Sequence, residues 1–317
     1  MSFLQMVRWT WISEMNEFRM KLGLQYEQHV CIMLRMKRCL FLLPFLFLVS
    51  CERGVEAEPT DAQALYDKAQ ALLKPNVEHD ASDFKGAWLC LQQAAKAGLM
   101  RAQLDVAGVY FAGGMGIPAD FQQAYNWFSL AAAQGSKEAE VFLGILQYDG
   151  SLGKQDKAAA MKHWRTAAEA GIAEGQYRLG RLLAQQPESL QEGVDWLVKS
   201  SSFVPQAATA LGNIYYKMLD DTATAAAWYE KGAMAGDPLA QHVFAEMLLL
   251  GDPVEKDSER GLAMLRMAAG QDYKPAMVRL VHVLRNGKNA GDNEKEAEAW
   301  AARLQELVKD EKAKPQK

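Results

Sequence analysis

The chain has 317 residues, half of them apolar, with 35 basic and 39 acidic side chains and a formal net charge of −4. That is ample apolar material for a large core, and the slightly acidic balance argues against nucleic acid as a partner, which calls for clustered Lys and Arg. Ala, Leu, Met, Gln, Glu and Lys predominate and long Val/Ile alternations are missing, so the chain reads as all-α.

In chain order, the first distinctive segment is Lys37-Arg38 followed by a continuous apolar run from Cys39 to Val49 and closed by Ser50-Cys51. The run falls short of the ~20 residues a membrane-spanning helix needs and has the layout of a secretory signal. Its end, Leu48-Val49-Ser50-Cys51, resembles the lipobox of bacterial lipoproteins. That resemblance implies cleavage just before Cys51 and acylation of its thiol, with residues 36–50 as signal peptide, Cys51 as the lipidation site and the Glu/Pro-rich residues 51–60 as a tether. Met36 is a better start for such a signal than Met1, so residues 1–35 are read as an upstream extension outside the fold. Glu52 rather than Asp after the cysteine implies the outer membrane, facing the periplasm. With residues 1–51 set aside, 29 basic and 36 acidic residues remain. Of the four cysteines only Cys90 is then left, on an apolar stripe beside Trp88 and Leu91, where a thiol acts as a small buried hydrophobe.

From residue 61 onward small residues recur in one pattern: Ala94-Ala95-x-x-Gly98, Ala131-Ala132-x-x-Gly135, Ala167-Ala168-x-x-Gly171, a degenerate copy at Gly236 and a last one at Ala268-Ala269-x-x-Asp272. A period of about 36 residues is the mark of a solenoid of helical hairpins, each unable to bury its apolar face alone. Trp196 and Phe203 are read as a shortened copy, with Phe203 in place of the closing glycine. The clearest unit has a first helix from Ala102 to Phe111, a turn Gly113-Gly114-Met115-Gly116-Ile117-Pro118-Ala119-Asp120, and a second helix bearing Ala124, Trp127, Phe128, Ala131 and Ala132 up to Gly135. The order Gly-x-Gly-Ile-Pro-x-Asp, then Ala-x-x-Trp-Phe-x-x-Ala-Ala-x-x-Gly, resembles the Sel-1-like repeat, a relative of the tetratricopeptide repeat. The resemblance covers residues 61–310 and implies a right-handed α-solenoid of about seven stacked helix-turn-helix repeats serving as a protein-protein interaction scaffold.

Two columns of small residues support that arrangement on physical grounds alone. Ala102, Ala139, Gly175, Ala207, Ala240 and Ala276 are each followed five residues on by Ala107, Gly144, Gly180, Gly212, Ala245 and Val281, and small side chains there let the helices of a hairpin approach closely. Trp127, Trp164, Trp196, Trp228 and Trp300 are expected to fill the wider gap between units. Asn293 to Val308, with Trp300, Leu304 and Leu307 on one face, is expected to be a capping helix. The Lys/Glu-rich end is expected to be disordered, with the tail set at residues 311–317.

Enzyme signatures are weak. Gly150-Ser151-Leu152-Gly153-Lys154 lacks the spacer and the Ser/Thr of a phosphate loop, and His79, His163, His242 and His282 are scattered one to a unit without metal-ligand spacing. The sequence therefore points to no catalytic residue, no metal, no cofactor and no small-molecule substrate. Positions three and six residues after each small residue give a polar line on the first helices: Asp105, Arg178, Arg181, Asn213, Glu246, Arg279 and His282. These residues form the candidate groove for a peptide or protein partner. The expected role is an adaptor among envelope proteins, held by its lipid anchor. The alternatives are a hydrolase of cell wall or β-lactam, or a secreted effector that meets a host.

Overall fold

The computed structural model describes residues 61–73, 81–286 and 290–313. The expected signal, Cys51 and the expected tether lie outside the described residues, as do 314–317. Among the described residues fourteen α-helices are found: α1 (Ala62–Leu72), α2 (Ala81–Lys96), α3 (Met100–Ala112), α4 (Phe121–Ala133), α5 (Lys137–Tyr148), α6 (Lys157–Glu169), α7 (Ala173–Leu183), α8 (Leu190–Ser200), α9 (Pro205–Lys217), α10 (Thr222–Met234), α11 (Pro238–Leu250), α12 (Ser258–Gly270), α13 (Lys274–Asn286) and α14 (Ala290–Ala313). They pair in sequence as seven hairpins in an all-α repeat solenoid. None of the described helices is long and apolar enough to cross a membrane. The chain divides into two compact units, one up to Gly175 and one from Gln176.

Four of the seven hairpins are closed by the same device. Asp120, Asp156, Asp221 and Asp257 cap α4, α6, α10 and α12, each carboxylate accepting the backbone N–H three residues on at 2.9 to 3.0 Å. The backbone N–H of each aspartate in turn donates to a carbonyl near the end of the preceding helix: Tyr110 at 2.7 Å, Gln147 at 2.8 Å, Tyr215 at 2.9 Å and Leu248 at 3.0 Å. Loops of different length thus deliver the second helix to one position. The loop 113–120 turns back on itself at Met115 and Gly116, both at positive φ, between mutual hydrogen bonds of Gly114 and Ile117.

Most joints between hairpins turn on a residue at positive φ, filled by Gly98, Gly135, Gly171 and Gly236 at φ +86° to +99°. Asp272 takes the same place at φ 59°, a conformation that aspartate tolerates better than bulkier residues. Phe203 does not replace the glycine as the sequence reading expects: it is 59% exposed and its φ is not positive. Val204 precedes Pro205, which confines it to extended backbone, and Pro205 opens α9 directly.

The aromatic column is also corrected. Four residues after the small residues Ala124, Ala160, Gly193, Ala225 and Gly261 stand Phe128, Trp164, Leu197, Tyr229 and Leu265, all 2% exposed or less. Trp127, Trp196 and Trp228 stand one residue earlier, roughly 100° round the helix, and are only half-buried. Trp164 is the core tryptophan of this column, and it sits inside its own hairpin, not between units: a Cβ on Gly144 would overlap its indole. Between hairpins in the first unit the contact is Phe128 stacked on Phe142, ring centroids 4.5 Å apart.

Buried amides join successive hairpins. Gln103 donates to the Ala95 carbonyl and accepts from Gln134; Gln241 donates to the Ala233 carbonyl and accepts from Gln271. At the chain's end α14 starts at Ala290 and lays Ala297, Trp300, Leu304 and Leu307 on the core of the second unit. It continues through Ala313, so residues 309–313 are helical where the sequence reading expects disorder. Their Lys, Glu and Ala residues are good helix formers that merely extend a helix already nucleated.

Candidate functional site

The line of polar residues on the first helices resolves into three settings. Asp105, on α3 in the first unit, is half-buried and accepts the Tyr66 hydroxyl at 2.8 Å, with the Arg101 guanidinium 5.6 Å from the Tyr66 ring. Burial, and then the Asp105 charge, push the Tyr66 phenol far up, so it stays a donor. Asp105 therefore ties α3 to α1.

On α11 and α13 of the second unit, Glu246 and Arg279 form an ion pair at 2.6 Å, and Arg279 Nη1 lies 3.3 Å from His282 Nδ1. His242 adjoins them: burial depresses its ring pKa, Glu246 opposes that shift and Arg279 adds to it. Glu246, Arg279 and His282 partner one another, whereas His242 Nδ1 is buried without a hydrogen-bond partner among the described residues.

The third setting is open. Arg181 on α7 is exposed, lies 5.5 Å over the Tyr177 ring and donates to the Tyr177 hydroxyl at 3.2 Å. Asn213 on α9 is half-buried and accepts the Tyr229 hydroxyl at 2.9 Å; burial pushes the Tyr229 pKa up to about 12. Arg181 and Asn213 line one cleft of about 250 Å³ with Ala184, Gln185, Leu197, Ala210 and Ile214. Arg178 is half-buried one turn before Arg181.

Counting positions on the first helices brings together Arg181 and Asn213, and separately Glu246, Arg279 and His282; Asp105 belongs to the other unit. It misses Tyr177 and Tyr229, which orient the two polar groups of the cleft, and the apolar floor. Tyr229 had a signal: it occupies the buried position opposite Gly212, where a hydroxyl needs a partner on the first helix. The cleft contains hydrogen-bond donors and aliphatic surface but no nucleophile paired with a base. Among the described residues no group of His, Cys, Asp and Glu is placed to hold a metal ion.

A stack of helical hairpins with small-residue joints and a polar first-helix face defines an α-solenoid of the kind that binds other proteins. Residues 101–136, 137–172, 173–202, 205–237 and 238–273 each match the Sel1 repeat, and the chain belongs to the Sel1 repeat family. Such proteins generally mediate protein-protein interaction as non-catalytic scaffolds. Two solved structures are similar. A Sel1 repeat protein from Oxalobacter formigenes has TM-score 0.63 and 21% identity, covering 78% of this chain and 97% of that one. A protective antigen of uropathogenic Escherichia coli strains has TM-score 0.62 and 22% identity, covering 81% and 65%. An uncharacterized protein of Neisseria meningitidis serogroup B is 29% identical over 170 residues, which is 52% of this chain and 36% of that protein. The chain thus spans about a third of that relative's length and just under two thirds of the Escherichia coli structure.

Proposed function

We propose that this protein is a non-catalytic adaptor, held in a bacterial envelope by a lipid on Cys51, that gathers other envelope proteins on the first-helix face of residues 176–286. The observation that carries the binding role is the cleft lined by Arg181 and Asn213, where Arg181 makes no ion pair among the described residues, while Glu246 and Arg279 on the same face already pair with each other. The lipobox-like Leu48-Val49-Ser50-Cys51 behind a basic and an apolar segment supports the anchor. Two or three acyl chains give stable membrane residence where one alone is marginal. Glu52 favours the outer membrane, facing the periplasm.

The test is fractionation of cells expressing wild type or Cys51→Ser, with mass spectrometry of the mature amino terminus and of co-purifying proteins. The proposal expects an acylated Cys51 terminus, loss of membrane residence in Cys51→Ser, and a reproducible set of envelope proteins with wild type. An unacylated terminus upstream of Met36 would remove the anchor. Hydrolysis of peptidoglycan or a β-lactam by the purified protein would replace the adaptor with an enzyme.

A further inference from the structure

We infer that the cleft between α7 and α9 is a carboxylate-reading pocket, built for an Asp or Glu side chain next to an aliphatic residue in an extended partner peptide. This rests on the adaptor reading and names the chemistry it recognises.

Three features of the cleft define its ligand. First, its charge is one-sided: Arg181 lines it, no acidic side chain does, and among the described residues Arg181 makes no ion pair. A guanidinium with free N–H groups is suited to a carboxylate. Second, the amide of Asn213 has a set orientation. Its Oδ1 is taken by the Tyr229 hydroxyl, a group kept protonated by burial beneath the hairpin, so Nδ2 is left as a donor and among the described residues has no acceptor. Third, both groups are braced. Arg181 lies over Tyr177 and donates to its hydroxyl, and Tyr229 is wedged against Gly212, so little side-chain freedom remains to be lost on binding.

The rest of the lining points the same way. Leu197 and Ile214 give an aliphatic floor, which suits a small apolar side chain beside the carboxylate. The volume of about 250 Å³ suits one or two side chains rather than a folded surface. The Glu246–Arg279 pair is a useful contrast, because there the cation already has its anion at 2.6 Å and offers nothing comparable.

The experiment measures fluorescence anisotropy with the full chain in detergent and three labelled octapeptides. One carries an internal Leu-Glu-Val and an amidated end. The second carries Leu-Gln-Val and an amidated end. The third carries Leu-Gln-Val and a free carboxyl end. Asn213→Asp still accepts the Tyr229 hydroxyl but replaces the Nδ2 donor with a carboxylate that cancels the positive charge of the cleft, and Arg181→Gln changes an exposed side chain. Thermal unfolding of each variant reports folding.

The expected result is binding of the Glu peptide, weakened about tenfold or more in each folded variant and by raised salt, with the Gln amide peptide poor. Preference for the free carboxyl end would move the site's ligand from a side chain to a chain terminus and overturn the assignment to Asp or Glu. Equal binding of Glu and Gln peptides, no binding of any, or unchanged affinity in both variants would overturn the pocket. Envelope proteins that still co-purify with Asn213→Asp and Arg181→Gln would leave the adaptor standing with the cleft assignment gone.

Discussion

The indole of Trp164 lies directly over Gly144, so close that a Cβ at Gly144 would overlap the ring, and its Nε1 donates to the Val141 carbonyl at 3.1 Å. The hydrogen bond satisfies the one polar atom of a side chain that is otherwise core. The same relation recurs with other partners. A Cβ at Gly180 would come 2.9 Å from Leu197 Cγ, and one at Gly212 would come 2.8 Å from the Tyr229 ring. A large side chain on the second helix seated on a glycine of the first is the lock of each central hairpin.

Gly144→Ala is therefore expected to destabilise by about 1–3 kcal/mol, the range for overpacking a filled core. Gly108, also in a first helix, has nothing within 4 Å of an added Cβ, so Gly108→Ala is expected to stabilise by roughly 0.5–1 kcal/mol through helix propensity and a less free unfolded chain. Urea midpoints of the two variants, compared with wild type, check both signs at once. A midpoint for Gly144→Ala equal to wild type would mean that the indole moves aside at no cost.

Ala139 belongs to the other small column, which meets the preceding hairpin. A Cβ at Gly175, its counterpart, would lie 2.7 Å from Ala167 Cβ, and one at Gly232 would lie 2.9 Å from the Cβ of Ala240. Ala139 is fully buried. Ala139→Leu is expected to cost about 1–3 kcal/mol and to raise hydrogen exchange in α4 as well as α5, because the joint is shared. Exchange changes confined to α5 would show that the hairpins are only loosely coupled.

The small columns were legible because close backbone approach leaves few residue choices, and counting them places six of the seven hairpins. The aromatic column is misread where tryptophan is followed by residue type: seven residues before Gly135, Gly171 and Gly236 stand Phe128, Trp164 and Tyr229, while Trp127 and Trp228 stand eight before, and Trp196 is placed by counting from Phe203. One unit ends in Phe203-Val204-Pro205 rather than in glycine, and a slip of one residue turns a side chain about 100° round a helix. The face of Arg181 and Asn213 was legible from spacing. Which residues on that face are free and which are paired was not, because pairing depends on partners about 33 residues away, as in Glu246 with Arg279. Residues 309–313 illustrate a different limit: charge-rich composition cannot distinguish a tail from the last turns of a helix already anchored by Trp300 and Leu304.

Asp237 gives a pH dependence. It caps α11 by accepting the Ala240 N–H at 3.1 Å, and the Thr209 hydroxyl donates to it at 2.5 Å. Burial raises its pKa, with those two hydrogen bonds opposing the shift, and Tyr273 faces the same charge. A carboxyl whose folded pKa lies above its unfolded value binds its proton more tightly when folded. Its stabilising contribution is then full below the ordinary value of about 3.9 and is lost as pH rises through the folded value. Asp237→Asn is expected to remove that component, so the stability difference, wild type minus variant, should fall across the mildly acidic range. Urea midpoints at half-unit pH steps give the slope. A difference that rises with pH would reverse the assigned direction.

The last helix closes the second unit and supplies the strongest truncation test. Ala297 is fully buried, and Trp300, Leu304 and Leu307 pack on a core that includes Leu280 and Leu284 of α13. Two polar clamps hold it there. Arg266 donates to both carboxylate oxygens of Glu296 at 2.8 Å, and Arg303 grips Asp272 through two bonds of 3.1 and 2.9 Å. These pairs are partly exposed, so each alone contributes little, and Arg303→Ala is expected to lower stability by no more than about 1 kcal/mol. The apolar face matters more, since its loss uncovers a contiguous patch that in a solenoid must be capped. Deleting residues 293–317 is accordingly expected to give aggregation or loss of soluble yield, and Trp300→Asp a milder form of the same defect. Size-exclusion chromatography with light scattering distinguishes the outcomes, and a monomeric truncation with an unchanged unfolding midpoint would show that α13 needs no cover.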